Sequence, residues 1–321
     1  MKPKNIIYID QNIIQYVYEG KLELNLDDSI TWAYSDEHFG EINRHDDEIQ
    51  CFNVLEHLKA QKINIQLDDN FKITDRCFLY DYEDPQVLYK EYLNAIENYK
   101  HLSSQFLPLQ TLFFGNTRSF DVDNYIEQFK TNLSSLTSDI NADNDSLSKL
   151  YNSCVETVAE QLKGSLVNAQ NQIQPLDKIR KSITIIQLSD LDHINGSIIE
   201  QIWSLIQVDF EKASISKDQL FGKEKLPFFD STENKQTIFE GIVQCHTLLN
   251  YLGYWPDDKL TRPSKIFGIN SDASHIAHGF FCNGILSADD RFCRKARAIY
   301  EYYGKTDNVL QVVFEKNKNV L

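Results

Sequence analysis

Two short apolar runs, one near each end of the chain, lead into an acid. Ile6, Ile7, Tyr8 and Ile9 run into Asp10; Gly284, Ile285, Leu286 and Ser287 run through Ala288 into Asp289. Short apolar runs with a polar stop read as buried strands. A helical pattern follows each one: 13–19 after the first, and after the second a face of Phe292, Ala296, Ile299, Tyr300 and Tyr303, stopped at Gly304. Strand followed by helix at both ends predicts one α/β core, a central mostly parallel sheet flanked by helices, with the ends of the chain brought together. Ligand sites of such sheets lie beyond the carboxyl ends of the strands, where Asp10 and Asp289 are expected to converge.

Between these ends the chain changes character. It becomes polar, rich in Asn, Gln, Ser and Asp, with helical periodicity dominant. Leu147, Leu150, Tyr151, Cys154, Val155, Val158, Leu162 and Leu166 predict an amphipathic helix over 146–168. Ile198, Ile199, Ile202, Trp203 and Ile206, preceded by Ile194, predict another. The β-branched runs 63–65 and 183–186 read as strands or helix ends, and 139–145 as a loop. The expected organisation is a discontinuous core, 1–45 and 235–321, around a mainly helical insertion at 46–234.

Two further acids have a local setting. Ser35, with His38 three residues on, is an N-cap signature for a helix carrying Glu41 in its second turn. The stretch 232–252 reads as a helix ended by Gly253. After Pro256 and Asp257 a loop is expected up to Asn270 and Ser271, with Asp272 opening a helix that turns Ala273, Ile276, Ala277 and Phe280 inward. Residues 309–314 read as a last strand.

Each acid also has a plain reading. Asp10 caps the helix after it, Glu41 lies on a solvated face, Asp272 is a first-turn acid, and Asp289 and Asp290 are turn residues. Together they imply more. Four converging carboxylates repel, and two Mg²⁺ or Mn²⁺ ions about 3.5–4 Å apart would relieve that repulsion and clamp a phosphodiester. His246, His275 and His278 lack HxxxH or HExxH spacing and read as core or rim histidines. The six cysteines include no CxxC pair, so they describe neither a cysteine-built tetrahedral zinc site nor a disulfide framework, and they suit a reducing cytoplasm. No apolar run approaches the roughly 18 residues of a membrane span, and the short, quickly charged N-terminal run is unlike a signal peptide. The net charge of −15 runs against the basic footprint of nucleic-acid binders, although Arg291, Arg294, Lys295 and Arg297 form a local cluster.

These segments resemble the PIN-like nuclease family. Ile6-Ile-Tyr-Ile-Asp-Gln-Asn12 is similar to its first strand and Asp-x-Asn; Tyr34-Ser-Asp-Glu-His-Phe-Gly-Glu-Ile42 to its second acidic helix, with Glu37 as the rival of Glu41. Ser271-Asp-Ala-Ser-His-Ile-Ala-His278 resembles its Asp-x-x-His-x-Ala helix, and Ile285-Leu-Ser-Ala-Asp-Asp-Arg-Phe292 its hydrophobic–Ser/Thr–x–Asp–x–x–Phe element. The resemblance implies a metal-dependent nuclease. Asp10, Glu41, Asp272 and Asp289 would hold Mg²⁺ or Mn²⁺, with Asn12, Ser287 and Asp290 in support. Arg291, Arg294 and Lys295 would meet substrate phosphate. RNA is implied more often than DNA, in toxin–antitoxin, RNA-turnover or phage-defence settings, with a regulatory protein or a second copy as further partners. The alternatives are a DNA nuclease with the same site and a catalytically silent binding module. A haloacid-type phosphatase needs a second Asp two residues after its nucleophile, and position 12 is Asn.

Overall fold

The structure, a computed structural model, describes residues 5–24, 26–27, 29–44, 48–70, 72–97, 120–136, 145–183, 188–191, 196–212, 214–226, 235–257 and 263–314. Six strands form one sheet: β1 Asn5–Ile9, β2 Ile30–Tyr34, β3 Gln61–Leu67, β4 Ile73–Leu79, β5 Gly284–Ser287 and β6 Val309–Gln311. The order is β4-β3-β2-β1-β5-β6. All neighbours are parallel except β3 and β4. The α/β class read from the sequence is therefore observed, and the two ends of the chain pair directly, Tyr8 with Ile285 and Ile9 with Leu286.

The position of β1 decides where a site can form. Its neighbours are β2, next along the chain, and β5, which arrives from the far end. The strand order therefore reverses at β1, and a parallel sheet opens a crevice beyond the carboxyl ends at such a point. The helices that follow these strands start at caps the sequence supplies. The first, α1 (Gln11–Tyr18), is capped by Asp10. The second, α2 (Asp36–Ile42), begins at a capping box of Ser35 and His38. On this side of the sheet Ile9, Ile13, Ile14, Tyr34 and Phe39 form a core with Phe52 and Leu55 of α3 (Glu48–His57) and Leu88 and Tyr89 of α4 (Pro85–Glu97).

The chain divides into two compact units, Met1–Leu93, Ile183–Asp257 and Gly268–Leu321 in one, Asn94–Ser182 and Asp258–Phe267 in the other. The boundary expected after residue 45 is displaced, because the run 63–65 is strand and β3 extends the sheet beyond β2. In the second unit lie α5 (Val122–Leu136) and most of α6 (Asp145–Ile183). There Val122, Tyr125 and Ile126 pack with Ala159, Leu162 and Leu166, and Lys130–Glu156 and Lys163–Asp123 ion pairs of 2.6 Å lie at the surface. The helix expected over 146–168 is thus present and longer. The loop expected at 139–145 falls, apart from Asp145, outside the described residues, as do 184–187, 194 and 232–234.

The first unit continues with α7 (Ile198–Glu211), the short α8 (Lys217–Leu220) and α9 (Ile238–Leu252), which Thr237 opens with a capping box and Gly253 ends at φ 93°. Next comes α10 (Pro263–Phe280), and here the structure corrects the sequence reading: Asp272 does not open a helix but lies in the middle of one. Ile266, Ile269, Ala273, Ile276 and Ala277 are all buried, a helical repeat that runs through Asn270 and Ser271 without a break. Gly279 sets the approach of α10 to the sheet. A Cβ there would come within 2.7 Å of the Ile285 side chain and 2.8 Å of the Tyr300 hydroxyl. The last helix, α11 (Asp290–Tyr302), packs on α9 and leads to β6.

Candidate functional site

The carboxyl ends of β1 and β5 are tied together by side chains. Asp10, buried at the end of β1, takes a 2.8 Å hydrogen bond from the Gln11 amide on Oδ1. Its Oδ2 accepts from the Ser287 hydroxyl at 2.6 Å and from the Asn12 amide. Asn12 also donates to Ser287 Oγ at 3.1 Å and accepts from the Ala288 N–H at 3.0 Å. The Asp10 carboxylate is fixed in direction, yet no cation bonds to it among the described residues. Burial pushes its pKa up to about 6; the His275 charge opposes the rise and Glu41 adds to it.

Glu41 has the opposite environment. Ser271 donates to its Oε1 at 2.5 Å, and His275 Nε2 faces its Oε2 at 3.5 Å. Burial raises the Glu41 carboxyl, but the His275 charge and hydrogen bond with Ser271's overcome that and hold it near 2. Burial likewise disfavours the His275 cation, and Glu41 more than reverses this, to about 9. His275 is therefore an imidazolium. Its Nδ1 donates to the Tyr8 hydroxyl at 2.7 Å, which in turn donates to Ser35 Oγ at 2.7 Å. His38 remains neutral, lowered to about 3 by burial and the His275 charge, with Nε2 donating to the Ile9 carbonyl at 2.7 Å. Glu41, not Glu37, is the acid built into this buried network.

Asp272 lies one turn before His275 on the same helix. Burial raises its carboxyl well above the usual range; among charges Asp257 acts on it most, then Lys295, Asp10 and Glu41. Asp257 comes from the return after α9. Gly253 ends that helix, Trp255 stands at φ 44°, and the Asp257 N–H reaches back to Asn250 Oδ1 at 3.0 Å. Lys295, fully buried on α11, donates to both Asp257 oxygens at 2.7 and 2.8 Å and to Asn250 Oδ1 at 3.2 Å. His246 is buried beside them and kept neutral by burial, with the Lys295 charge adding to the effect. One ligand atom each of His246, Asp257 and Asp272 lie within 4.8 Å of one another.

Compared with known proteins, the chain matches no family model, no curated protein and no solved structure.

Of the residues singled out in the sequence, Asp10, Asn12 and Ser287 share one network, and Asp10, Glu41 and Asp272 act on one another's charge. Among the described residues, however, no three of the four expected acids bring oxygens within 4.8 Å of one another. Asp289 is exposed. Its Oδ1 caps α11 through the Phe292 N–H at 3.0 Å, and its own N–H donates to Ser287 Oγ at 3.1 Å. Asp290 is turned to Arg294 at 2.8 Å and Gln311 at 3.0 Å and takes no part in the cluster. The basic cluster does not form the expected phosphate-facing surface. Lys295 is buried on Asp257 because the apolar pattern of α11 turns its position inward. Arg294 lies over the Trp255 ring, 4.1 Å from its centroid, and pairs with Asp290. Arg291 remains exposed, with a 3.2 Å bond to the Pro256 carbonyl. His246 and Asp257 were not singled out as ligands; the only local cue was a Pro-Asp turn after a capped helix.

The donor set fits a hard dication. Asp10 is a buried and Asp272 a half-buried carboxyl in a shared negative field; both are raised in pKa, and neither has an ion-pair partner among the described residues. A bound cation would add direct pairing to the partial compensation that the His275 and Lys295 charges give.

Proposed function

We propose that this chain is a divalent-metal-dependent nuclease with a PIN-like core, acting on RNA. What carries the reading is the pair of carboxyls without an ion-pair partner among the described residues, buried Asp10 and half-buried Asp272, both raised in pKa beside the switch point of a parallel sheet. Asp10, Asp272 and Glu41 would hold Mg²⁺ or Mn²⁺, with Asp289 at the rim. The bound ions supply charge that polarises a phosphoryl oxygen and the attacking water. Asn12 and Ser287 fix the direction of the Asp10 carboxylate, so its oxygens need no rearrangement. The His275 imidazolium keeps Glu41 ionised, so that ligand has no proton to lose. Asp10 must give one up, and ion uptake therefore releases protons and tightens as pH rises through about 6. Arg291, exposed at the Pro256 return, would meet a substrate phosphate. RNA is the substrate class implied by the family resemblance.

The test is cleavage of end-labelled single-stranded RNA and DNA, in parallel, with Mn²⁺, Mg²⁺ or EDTA. RNA cutting that needs metal and disappears in Asp10→Asn is the expected result. Cutting confined to DNA would move the substrate. Metal-independent cutting, or cutting retained by Asp10→Asn, would remove the site assignment.

A further inference from the structure

Asp272 belongs to two neighbourhoods. On one side are Asp10 and Glu41; on the other are His246 and Asp257, which come from α9 and the return after it and are not needed for the four-acid site. His246 is the informative member. It is fully buried on α9, its Nδ1 has no hydrogen-bond partner, and its Nε2 has a long 3.4 Å contact with the Asn250 amide nitrogen. A buried imidazole this short of partners is uncommon, because buried polar groups are normally satisfied. One of its ring nitrogens lies within 4.8 Å of an oxygen from each of Asp257 and Asp272.

Asp257 is held as a ligating carboxylate is usually held. Its backbone N–H is anchored on Asn250, and Lys295 donates to both its oxygens. An ionised carboxylate has about four acceptor positions, so Lys295 leaves room for a second cation on the other lone pairs. A donor behind a carboxylate orients it toward its ion.

We propose that His246, Asp257 and Asp272 form a mixed nitrogen–oxygen cation position adjoining the four-acid site, selective for a first-row transition dication such as Zn²⁺ or Mn²⁺ over Mg²⁺. This deepens the nuclease reading and shares Asp272 with it. Mg²⁺ dehydrates reluctantly and prefers oxygen, whereas imidazole nitrogen suits the later first-row ions, with Zn²⁺ held more tightly than Mn²⁺.

The experiment is calorimetric titration of the chelator-stripped full chain with Zn²⁺, Mn²⁺ and Mg²⁺, for the wild type, His246→Gln and His246→Phe. Mn²⁺-loaded wild type is examined alongside by pulsed electron paramagnetic resonance. The wild type is expected to bind Zn²⁺ and Mn²⁺ more tightly than Mg²⁺ and to show nitrogen coupling to Mn²⁺. Both variants are expected to lose at least about tenfold in Zn²⁺ and Mn²⁺ affinity while Mg²⁺ binding changes little, since even partners behind a ligand are worth 10–100-fold. Equal affinity for the three ions in the wild type, or unchanged Zn²⁺ and Mn²⁺ affinity in folded variants, overturns the proposal. Should the variants fail to fold, the nitrogen coupling decides alone, and its absence overturns it. The two readings separate cleanly. Selectivity that depends on His246 without cleavage of any nucleic acid would keep this position and remove the nuclease. Cleavage that depends on Asp10 with unchanged selectivity in the His246 variants would do the reverse.

Discussion

The acidic site has two ways of holding a buried negative charge, and they lie next to each other. At one end Glu41 has the His275 imidazolium, and at the other Asp257 has the Lys295 ammonium. Between them Asp10 has side-chain hydrogen bonds and Asp272 none among the described residues, and both feel neighbouring charges without a bonded cation. Each end already holds a cation as folded; the middle holds none. The difference indicates where an external cation has most to offer, and it gives opposite signs for mutations a few ångströms apart.

The largest effect is expected from breaking an end. His275→Leu leaves the half-buried Glu41 with the Ser271 hydroxyl and only a longer 3.7 Å pairing to Arg44, and should lower the stability of the metal-free protein by about 3 kcal/mol, the low end of the scale for removing one member of a buried pair. The pH dependence follows from both partners. Glu41, lowered from 4.5 to about 2, contributes stability above 4.5 that is lost as pH falls through 2. His275, raised from 6.5 to about 9, contributes stability below 6.5 that is lost as pH rises through 9. Urea unfolding should therefore show the widest gap between wild type and variant from pH 4.5 to 6.5, narrowing on both sides. A gap that does not vary with pH would mean that the two residues are not an ion pair.

Neutralising the middle should act the other way. The Asp10 carboxyl is raised from 3.8 to about 6, so the folded state favours its protonated form. That preference stabilises the fold below 3.8 and is lost as pH rises through 6. Asp10→Asn removes the cost of the ionised form and should make the metal-free protein about 2 kcal/mol more stable at pH 8, with no gain near pH 4. Saturating Mn²⁺ should narrow or reverse the difference, because an ion that binds only the folded wild type stabilises it. Thermal melts with and without Mn²⁺ measure both parts. Destabilisation by Asp10→Asn at pH 8 without metal would mean that its hydrogen bonds outweigh the crowding of charge.

Why the sequence conveyed one part of this site and not the other follows from how each part is built. Asp10, Asn12 and Ser287 lie within a few residues of strand ends, where local pattern and the parallel-sheet rule specify position together. The two terminal strands, the capping box at Ser35 and the stop at Gly253 were legible for the same reason. The polar Asn270 and Ser271 read as the end of a loop with Asp272 opening a helix, but the buried repeat from Ile266 to Ala277 carries the helix through them. Lys295 reads as a surface cation by residue type, yet Asp257 makes its burial tolerable, and that partner is 38 positions away. The cations that complete the two ends are visible only once α9, α10 and α11 are packed. The reach of the core past residue 45 was hidden likewise, since a three-residue β-branched run carries too little periodicity to distinguish a strand from a helix end.

A smaller effect is expected from the support of the middle. Ser287→Ala removes a 2.6 Å hydrogen bond to Asp10 and the acceptor for two N–H groups. A loss of about 1 kcal/mol is the scale of one such bond. The Ser287 bond favours the ionised carboxylate, so its removal should also raise the Asp10 pKa and move the onset of metal binding to higher pH. Proton release on Mn²⁺ addition, followed across pH 5–8, reads this directly. An unchanged onset would show that Asn12 alone orients the carboxylate.

Asp289 gives the smallest stability change and the sharpest comparison. It is exposed and caps α11 through the Phe292 N–H. Asn caps a helix about as well as Asp, so Asp289→Asn should stay within about 0.5 kcal/mol of wild type, against about 1 kcal/mol lost in Asp289→Ala. It should give no gain in the metal-free protein of the kind expected for Asp10→Asn, since an exposed carboxylate has water to offset its charge. Any fall in metal-dependent cleavage in Asp289→Asn then reflects the carboxylate itself and not the helix it begins. Measured beside Asp289→Ala, equal cleavage loss in both variants would make Asp289 a fourth ligand at the rim. Full activity in the Asn variant with loss only in the Ala variant would make it a cap, leaving the metal to Asp10, Glu41 and Asp272.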